Sequence, residues 1–445
     1  MNKTYLHRQF WKYVLPSMFA MLLSGFYAIV DGLFVGNAIG NTALAAINIA
    51  YPIQVVLNAS AIGIGIGGAV VMSSAKGKHD LLGTNKAMGS SIGMLLIAGC
   101  ILPIVLIVFM NPLLSMLGAS GDLYKEAHSY ILVILMGGIL TVLGNGLNPL
   151  IRNHGKTILA TVIMSSGLVT NIILDFILVF QLHMGLGGAA LATIIAQGIV
   201  AVLSLIFLWK SDSCKLTLKS LLPDRAVSKQ ILRIALSPFG QTMAPSLVII
   251  ITNWMCLRYG GDGAVTIYSV ISYVLASAQL LLQGIGDGVQ PLISFYYGAN
   301  KEHEIHVLYK KAFLMTLVTS ILLCTAVFLF QEPLTALFGI SDSLFADTRQ
   351  ALLITALSFP CLGITRLTSA IFYATEKTKN STLLVYIEPC LLLPIALLIF
   401  SYLFQTTGIW IAYPVAQVVL CGMALWMKHP HKQPYMATCK ELSEI

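Results

Sequence analysis

The sequence predicts an all-α membrane protein whose twelve transmembrane helices form two six-helix lobes, related by a pseudo-two-fold axis along the membrane normal. Hydrophobic residues make up 57% of the 445 residues and charged residues only 10%, whereas a soluble chain carries about 25% charged residues. Apolar stretches of about 20 residues, the length that a helical span needs, recur along the whole chain. A weak internal repeat relates the two halves.

The apolar stretches predict twelve helical spans separated by short polar breaks. Transmembrane β-strands are disfavoured because they are about ten residues long and alternate in polarity. The spans are expected near residues 12–36, 45–75, 88–110, 128–150, 160–180, 187–209, 234–258, 264–296, 311–331, 347–373, 381–404 and 408–427.

The positions of Lys and Arg predict the orientation. With both termini in the cytoplasm, most of the 26 basic residues fall on the cytoplasmic side, as the positive-inside rule requires. The net charge of +8 then follows from topology, and no exposed basic domain is left for nucleic acid.

The longest polar stretch divides the chain into two sets of six spans. We predict an N-terminal lobe at 1–209, a cytoplasmic linker at 210–233 and a C-terminal lobe with a short cytoplasmic tail at 234–445. An offset of 224 aligns Ser74–Ala87 with Gly298–Lys311. Because six is even, the repeats are parallel, and substrate sites in such proteins lie near the midplane between or within the halves.

The cysteines and histidines indicate no metal site, disulfide framework or cofactor. The eight cysteines are scattered and lack the spacing of zinc or disulfide motifs. No catalytic cluster is present either, so we do not expect an enzyme.

Four acidic residues fall within predicted spans: Asp31, Asp175, Asp287 and Glu388. Each costs about 2.5–3.5 kcal/mol at the bilayer centre unless it is paired or neutralised, so a functional role is the default hypothesis. Glu388 and Arg366 occupy similar depths in consecutive spans, which predicts a structural ion pair between them.

Asp31 and Asp175 are expected at one depth near the outer ends of their spans, without a nearby basic residue. Asn171 precedes Asp175 by four residues and shares its helix face, and Thr193 opens the next span at a matching depth. Such oxygen ligands suit a hard cation such as Na⁺, and a proton shared by two carboxylates would also relieve their repulsion. The residue types permit either ion.

A polar stripe marks one face of the eighth span. Gln279, Gln283, Asp287 and Gln290 recur at helical spacing. Hydrogen bonding between helices and a wall for a cationic substrate are both compatible with this stripe.

Several motifs give the chain a family resemblance. They are FYAIVDGLFVGNAIG in the first span, RNHGKT after the fourth, NIILDFILVF in the fifth and QPLISFYYGANK at the end of the eighth. In order and spacing they resemble multidrug and toxic compound extrusion (MATE) transporters of the prokaryotic DinF/MepA-like branch. The resemblance implies a V-shaped pair of lobes that exports organic cations or drugs in exchange for inward Na⁺ or H⁺.

The resemblance also implies roles for individual residues. It places the cation site at Asp31, Asn171, Asp175 and Thr193, a helix bend at Pro16, and substrate-cavity side chains at Tyr27, Asn145 and Asn148. The seventh span lacks the glutamate that some members carry there, which favours coupling through the first lobe. A monomer in the plasma membrane of a prokaryote is expected, with the lipid bilayer and small organic substrates as its partners.

Three other classes of protein fit parts of the pattern. A lipid-linked oligosaccharide flippase of the same superfamily would share the two lobes, but would need a more basic cavity. A membrane-embedded enzyme lacks a catalytic motif here, and a receptor or channel is less consistent with an internal repeat that carries acids at membrane depth.

Overall fold

A computed structural model describes residues 3–38, 41–210, 218–338, 340 and 342–428, and within them every regular element is helical. The side chains of residues 26–42 lie outside the described part. The α-helices are α1 (Lys3–Ala38), α2 (Asn41–Gly77), α3 (Leu81–Val108), α4 (Met110–Met116), α5 (Gly121–Met136), α6 (Gly138–Asn153), α7 (Thr157–Asp175), α8 (Gly185–Lys210), α9 (Arg225–Gly298), α10 (Glu302–Leu337), α11 (Asp342–Ala356), α12 (Phe359–Ala374), α13 (Thr378–Ile387) and α14 (Leu393–Lys428).

The described helices confirm an all-α membrane fold. Seven helical runs are long and apolar enough to cross a membrane, and nine are if each of two bent pairs counts as one span. Two of the runs exceed a single crossing: α9 has 74 residues and breaks at Gly261, and Thr378–Lys428 has 51 residues and breaks at Gln405. Because one crossing takes about 20 residues, each holds two. The count of twelve crossings stays a prediction.

The backbone carries the internal repeat more clearly than the side chains do. Left-handed residues end helices at His79 and Asn300 and again at Gly155 and Glu376, so each pair is 221 positions apart. The sequence alignment had used an offset of 224 at the first of these turns. That offset is wrong, because the alignment matched charged residues with each other instead of the two turn residues.

Bends recur at the same places in the two halves. The helices α5 and α6 meet at 61°, and α11 and α12 meet at 40°. A π-helical segment follows in the next span of each half, Phe176–Gln181 and Glu388–Leu392. Matching irregularities in the fourth and fifth spans of each half indicate one architecture used twice.

The connection between the halves is shorter than the predicted linker at 210–233. The helix α8 continues to Lys210, and α9 begins at Arg225. The Asp224 side chain caps α9 by accepting hydrogen bonds from the backbone N–H groups of Ala226 and Val227. The Asp224 N–H donates to Ser90 Oγ at 3.1 Å, which holds the connection against α3.

The two halves meet where α1 and α2 pack along α9. Gly288 of α9 allows the closest approach: a Cβ atom added there would lie 2.6 Å from Val14 Cα and 3.2 Å from Ser17 Cβ. At Gly298 an added Cβ would collide with the backbone of Ser74. These contacts lie toward the side of the protein that the positions of Lys and Arg predict to be cytoplasmic.

Candidate functional site

Three predicted cation-site residues lie together in the first half. Asn171 and Asp175 are on α7 and Thr193 is on α8, with 2%, 1% and 9% of their surfaces exposed. Asn171 Nδ2 donates to Thr193 Oγ1 at 3.5 Å, and Thr193 Oγ1 donates to the Ala189 carbonyl oxygen at 3.1 Å. The packing of α7 against α8 thus joins an amide and a hydroxyl, and the buried carboxyl group of Asp175 lies one helical turn from Asn171 on the same face of α7.

Asp175 is the last α-helical residue before a π-helical segment. The segment Phe176–Gln181 continues the span with a wider turn. Single π-helical turns within α-helices occur frequently at functional sites. No sequence signal marks this change of helix type, because the apolar pattern continues through it.

Two other predicted residues lie outside the described side chains. The backbones of Tyr27 and Asp31 belong to α1, which packs along α7 and the π-helical segment. Pro16 is half-buried within α1, and its carbonyl oxygen accepts a hydrogen bond from Thr161 Oγ1 of α7 at 3.1 Å.

The predicted amides of the first-half cavity form hydrogen bonds within their own half. Asn145 Nδ2 donates to Asn58 Oδ1 at 3.1 Å, and Asn148 Nδ2 donates to the Ala160 carbonyl oxygen at 2.9 Å. Both side chains remain half-buried, so each keeps part of its surface for another contact.

The polar stripe of α9 has partners at every position. Gln279 Nε2 donates to the Tyr413 hydroxyl at 3.5 Å. Gln283 Nε2 lies 3.1 Å from Gln241 Oε1 and 3.0 Å from Asp287 Oδ1. The N-terminal part of the stripe is therefore a hydrogen-bonded layer within the second half of the chain.

The C-terminal part of the stripe, Asp287 and Gln290, contacts the first half of the chain. Asp287 Oδ2 is 3.6 Å from Arg152 Nη1, and the side-chain amides of Gln290 and Asn153 exchange hydrogen bonds of 3.0 and 3.1 Å. Sequence reasoning missed this role by assigning Arg152 to the set of cytoplasmic loop charges. The available signal was Asp287, an acid within a span, because Arg366 in the same half had already been matched with Glu388.

The structural ion pair predicted between Arg366 and Glu388 is not a direct contact in this structure. Both residues are buried, and the guanidinium acts on the carboxyl group electrostatically, but the ion pairs of the described residues do not include them. Glu388 Oε1 instead accepts a hydrogen bond of 2.6 Å from Gln417.

One apolar cavity contains none of the predicted site residues. It has a volume of about 330 Å³ between α2, α3 and α9 and is almost entirely apolar, with Ser60 as its single hydroxyl side chain. Its lining residues are Ser60, Gly63, Ile64, Ile97, Ala98, Ile101, Leu102, Leu232, Ala235, Leu236 and Phe239. This cavity is therefore separate from the polar side chains that are predicted to contact substrate.

His154, in the short connection after α6, provides a pH-dependent element. Burial, together with Lys76 and Lys156, lowers the pKa of its imidazole from 6.5 to about 4, and its ring packs edge-on against Phe207 at 6.1 Å. The neutral imidazole therefore belongs to the folded state at pH 7.

We expect His154 to make the protein less stable in mild acid. The unfolded chain binds a proton near pH 6.5 and the folded chain only near pH 4, so folding free energy is lost as the pH falls between these values. At pH 5 the loss is about 2 kcal/mol. A His154→Phe variant, which keeps the aromatic contact, should lose less stability between pH 7.5 and 5 in detergent unfolding measurements; an identical loss would contradict the assignment.

Comparisons with known proteins agree with this architecture. The MatE family model matches residues 16–177 and 240–408. The chain belongs to the MatE family. Multidrug export protein MepA of Staphylococcus haemolyticus (strain JCSC1435) is 26% identical to it over 415 residues, covering 93% of this chain and 91% of the relative.

Solved MatE-like structures share the fold. One is an outward-facing multidrug resistance MATE family transporter of the MOP superfamily, with a TM-score of 0.89, 23% identity and 94% of each chain covered. Another is a MOP superfamily transporter from Pyrococcus furiosus Vc1, for which a reversed polarity of the binding pocket suggests a different function; its TM-score is 0.89 at 23% identity, with 95% of each chain covered. The MatE chain is therefore a membrane transporter and not an enzyme.

Proposed function

We propose that this MatE protein is a secondary active multidrug efflux transporter that exports organic cations or drugs in exchange for inward Na⁺ or H⁺. The observation that carries the proposal is the buried group of Asp175, Asn171 and Thr193 within the first half. The MepA relative is a multidrug export protein, which supports the direction of transport and the class of substrate.

The chemistry of this group suits a small cation. Asp175 is 1% exposed within a span that is otherwise strongly apolar, where a charged carboxylate is costly. A proton would neutralise it, and Na⁺ would find carboxylate, amide and hydroxyl oxygens of the kind that hard cations bind. Binding of either ion would neutralise the carboxylate of Asp175. Occupancy of the site would therefore change the relative energies of the possible arrangements of the surrounding helices.

The helix register supports a place for Asp31 in the same site. The hydrogen bond from Thr161 to the Pro16 carbonyl oxygen fixes α1 beside α7. Both helices are expected to run outward and rise about 1.5 Å per residue, so position 31 should reach the level of position 176. A second carboxyl group beside Asp175 would raise the affinity of the site for one positive ion.

The proposed mechanism is alternating access between two lobes, which are joined by the connection between α8 and α9. Cation uptake by Asp31 and Asp175 lets α1 bend near Pro16, which shrinks the cavity and releases substrate outward. Substrate entering from the cytoplasm favours the opposite state. Each ligand moves this equilibrium through its different affinities for the two states.

Substrate contacts are proposed for half-buried polar side chains on both sides of the cavity. Asn145 and Asn148 face it from the first half, and Gln279 and Gln283 from the second, with Tyr27 near the cation site. Their amides can exchange present hydrogen bonds for bonds to a substrate with little change in energy. We further propose a monomer in a prokaryotic plasma membrane with both termini in the cytoplasm.

The test is uptake of a fluorescent organic cation into inside-out vesicles under imposed Na⁺ and H⁺ gradients in turn. Uptake driven by one gradient would identify the coupling ion, and dissipating that gradient should stop it. Absence of uptake under both gradients across a panel of organic cations, with the protein folded in the vesicles, would refute the proposal.

A further inference from the structure

We infer that Arg152, Asn153, Asp287 and Gln290 form a cytoplasmic gate that holds the two halves together and must open in every transport cycle. The four residues belong to α6 and α9, which lie in different halves of the chain. The inference rests on the alternating access proposed above, to which it adds the positioning residues that close the cytoplasmic side.

The gate consists of two neighbouring contacts. Arg152 and Asp287, 8% and 6% exposed, place Nη1 and Oδ2 3.6 Å apart. Next to them, Asn153 and Gln290, 5% and 3% exposed, pair their side-chain amides in both directions. Burial removes competition from water, so both contacts carry more energy here than on a surface.

Residues on either side hold the gate in position. Ser73 of α2 donates to Asn153 Oδ1 at 2.9 Å, and Gln290 Nε2 lies 3.0 Å from Ser294 Oγ, which donates to the Ala374 carbonyl oxygen at 3.1 Å. On the second half, Gln283 donates to the other oxygen of Asp287. Asn153, Asp287 and Gln290 are thus each held by a further contact within their own half of the chain.

The contacts are strong enough to close the gate and weak enough to release it. At 3.6 Å the charged atoms attract without a close hydrogen bond, and Arg152 Nε has no hydrogen-bond acceptor among the described residues. The amide pair is neutral, and a neutral hydrogen bond contributes about 1 kcal/mol net. A tight bidentate pair would hold the halves in one state.

The location of the gate fits a closing role. Gly288, between Asp287 and Gln290, is in contact with α1 at Val14, and Ser74, next to Ser73, is 2% exposed against Gly298. Separation of the two halves would break the gate contacts and, at the same time, expose Ser74. Ser74 therefore reports the gate without belonging to it.

The test measures how fast a Ser74→Cys reporter reacts with a membrane-impermeant maleimide from the cytoplasmic side of inside-out vesicles, after replacement of the eight native cysteines. Asp287→Asn preserves the shape and the contact with Gln283 but removes the charge, and Arg152→Ala removes the partner. We expect each to raise the labelling rate by about tenfold, the factor that 1.4 kcal/mol produces.

A double-mutant cycle separates a pair from two independent residues. If Arg152 and Asp287 act together, the double variant should react no faster than about twice the rate of either single variant, whereas independent effects would multiply. As a matched control, Arg349→Ala removes a 2.9 Å ion pair with Glu332 within the second half and should leave labelling unchanged.

Unchanged labelling in the folded Asp287→Asn protein, or multiplied effects in the double variant, would overturn the gate. Because the assay needs no transported substrate, it separates the two hypotheses: a chain that exports no organic cation but shows the expected labelling retains the gate and loses the proposed substrate class.

Discussion

An Asp175→Asn variant is expected to lose cation-coupled efflux by at least about tenfold while remaining folded and inserted. The amide keeps the shape of the carboxyl group but cannot take up a proton and attracts Na⁺ far less. Asp175 is 1% exposed, so the substitution also removes a potential buried charge, and the unfolding temperature should be equal or higher. Efflux of a fluorescent organic cation under the driving gradient measures the loss.

The matched control for Asp175 is an acid that is not buried. Asp122 pairs with Lys125 at the surface, where its side chain is 87% exposed, and Asp122→Asn should retain full efflux. Substrate binding to Asp175→Asn should persist, because the lost step is coupling and not recognition. Coupled efflux at the parental rate by Asp175→Asn would show that this carboxyl group does not bind the driving ion.

The sequence predicted the features that depend on positions along a helix. Apolar length located the spans, and a spacing of four residues placed Asn171 and Asp175 on one face. The depth argument added Thr193 from the next span, and α7 and α8 do bring this side chain to Asn171. Each of these steps uses only the rise and the period of an α-helix.

Features that depend on rotation between helices could not be predicted in this way. Glu388 and Arg366 have similar depths, but the direction of a side chain around its helix axis also decides whether two groups meet. Glu388 begins a π-helical segment, which changes that direction, and its carboxyl group accepts from Gln417 instead. No period in the sequence reveals an inserted π turn.

Contacts between the halves were also beyond the sequence. Arg152 and Asp287 are separated by more than a hundred residues and meet because α2 packs against both α6 and α9. Small residues make that packing possible, yet a glycine within a span indicates a close approach without naming the partner. The stripe of α9 was therefore predicted as a set, while the division of its contacts between the two halves was not.

A Gly288→Ala variant is expected to lower efflux by roughly tenfold to a hundredfold through one added methyl group. The new Cβ would lie 2.6 Å from Val14 Cα, closer than packed carbon atoms allow, and Val14 is fully buried. Overpacking of this kind costs about 1–3 kcal/mol. The penalty falls on the state in which α1 and α9 touch, so the population should move toward the state open to the cytoplasm.

Two other glycines separate a shifted equilibrium from a damaged fold. Gly65 packs against the backbone of Gly146 within the first half, so Gly65→Ala should lower the unfolding temperature without faster labelling of Ser74→Cys. Gly422 has no atom within 4 Å of an added Cβ, and Gly422→Ala should change neither quantity. Gly288→Ala alone should combine faster labelling with reduced efflux, because the contact that it disrupts exists in only one of two alternating states. Parental labelling and efflux in Gly288→Ala would mean that the cycle does not require α1 and α9 to close at this point.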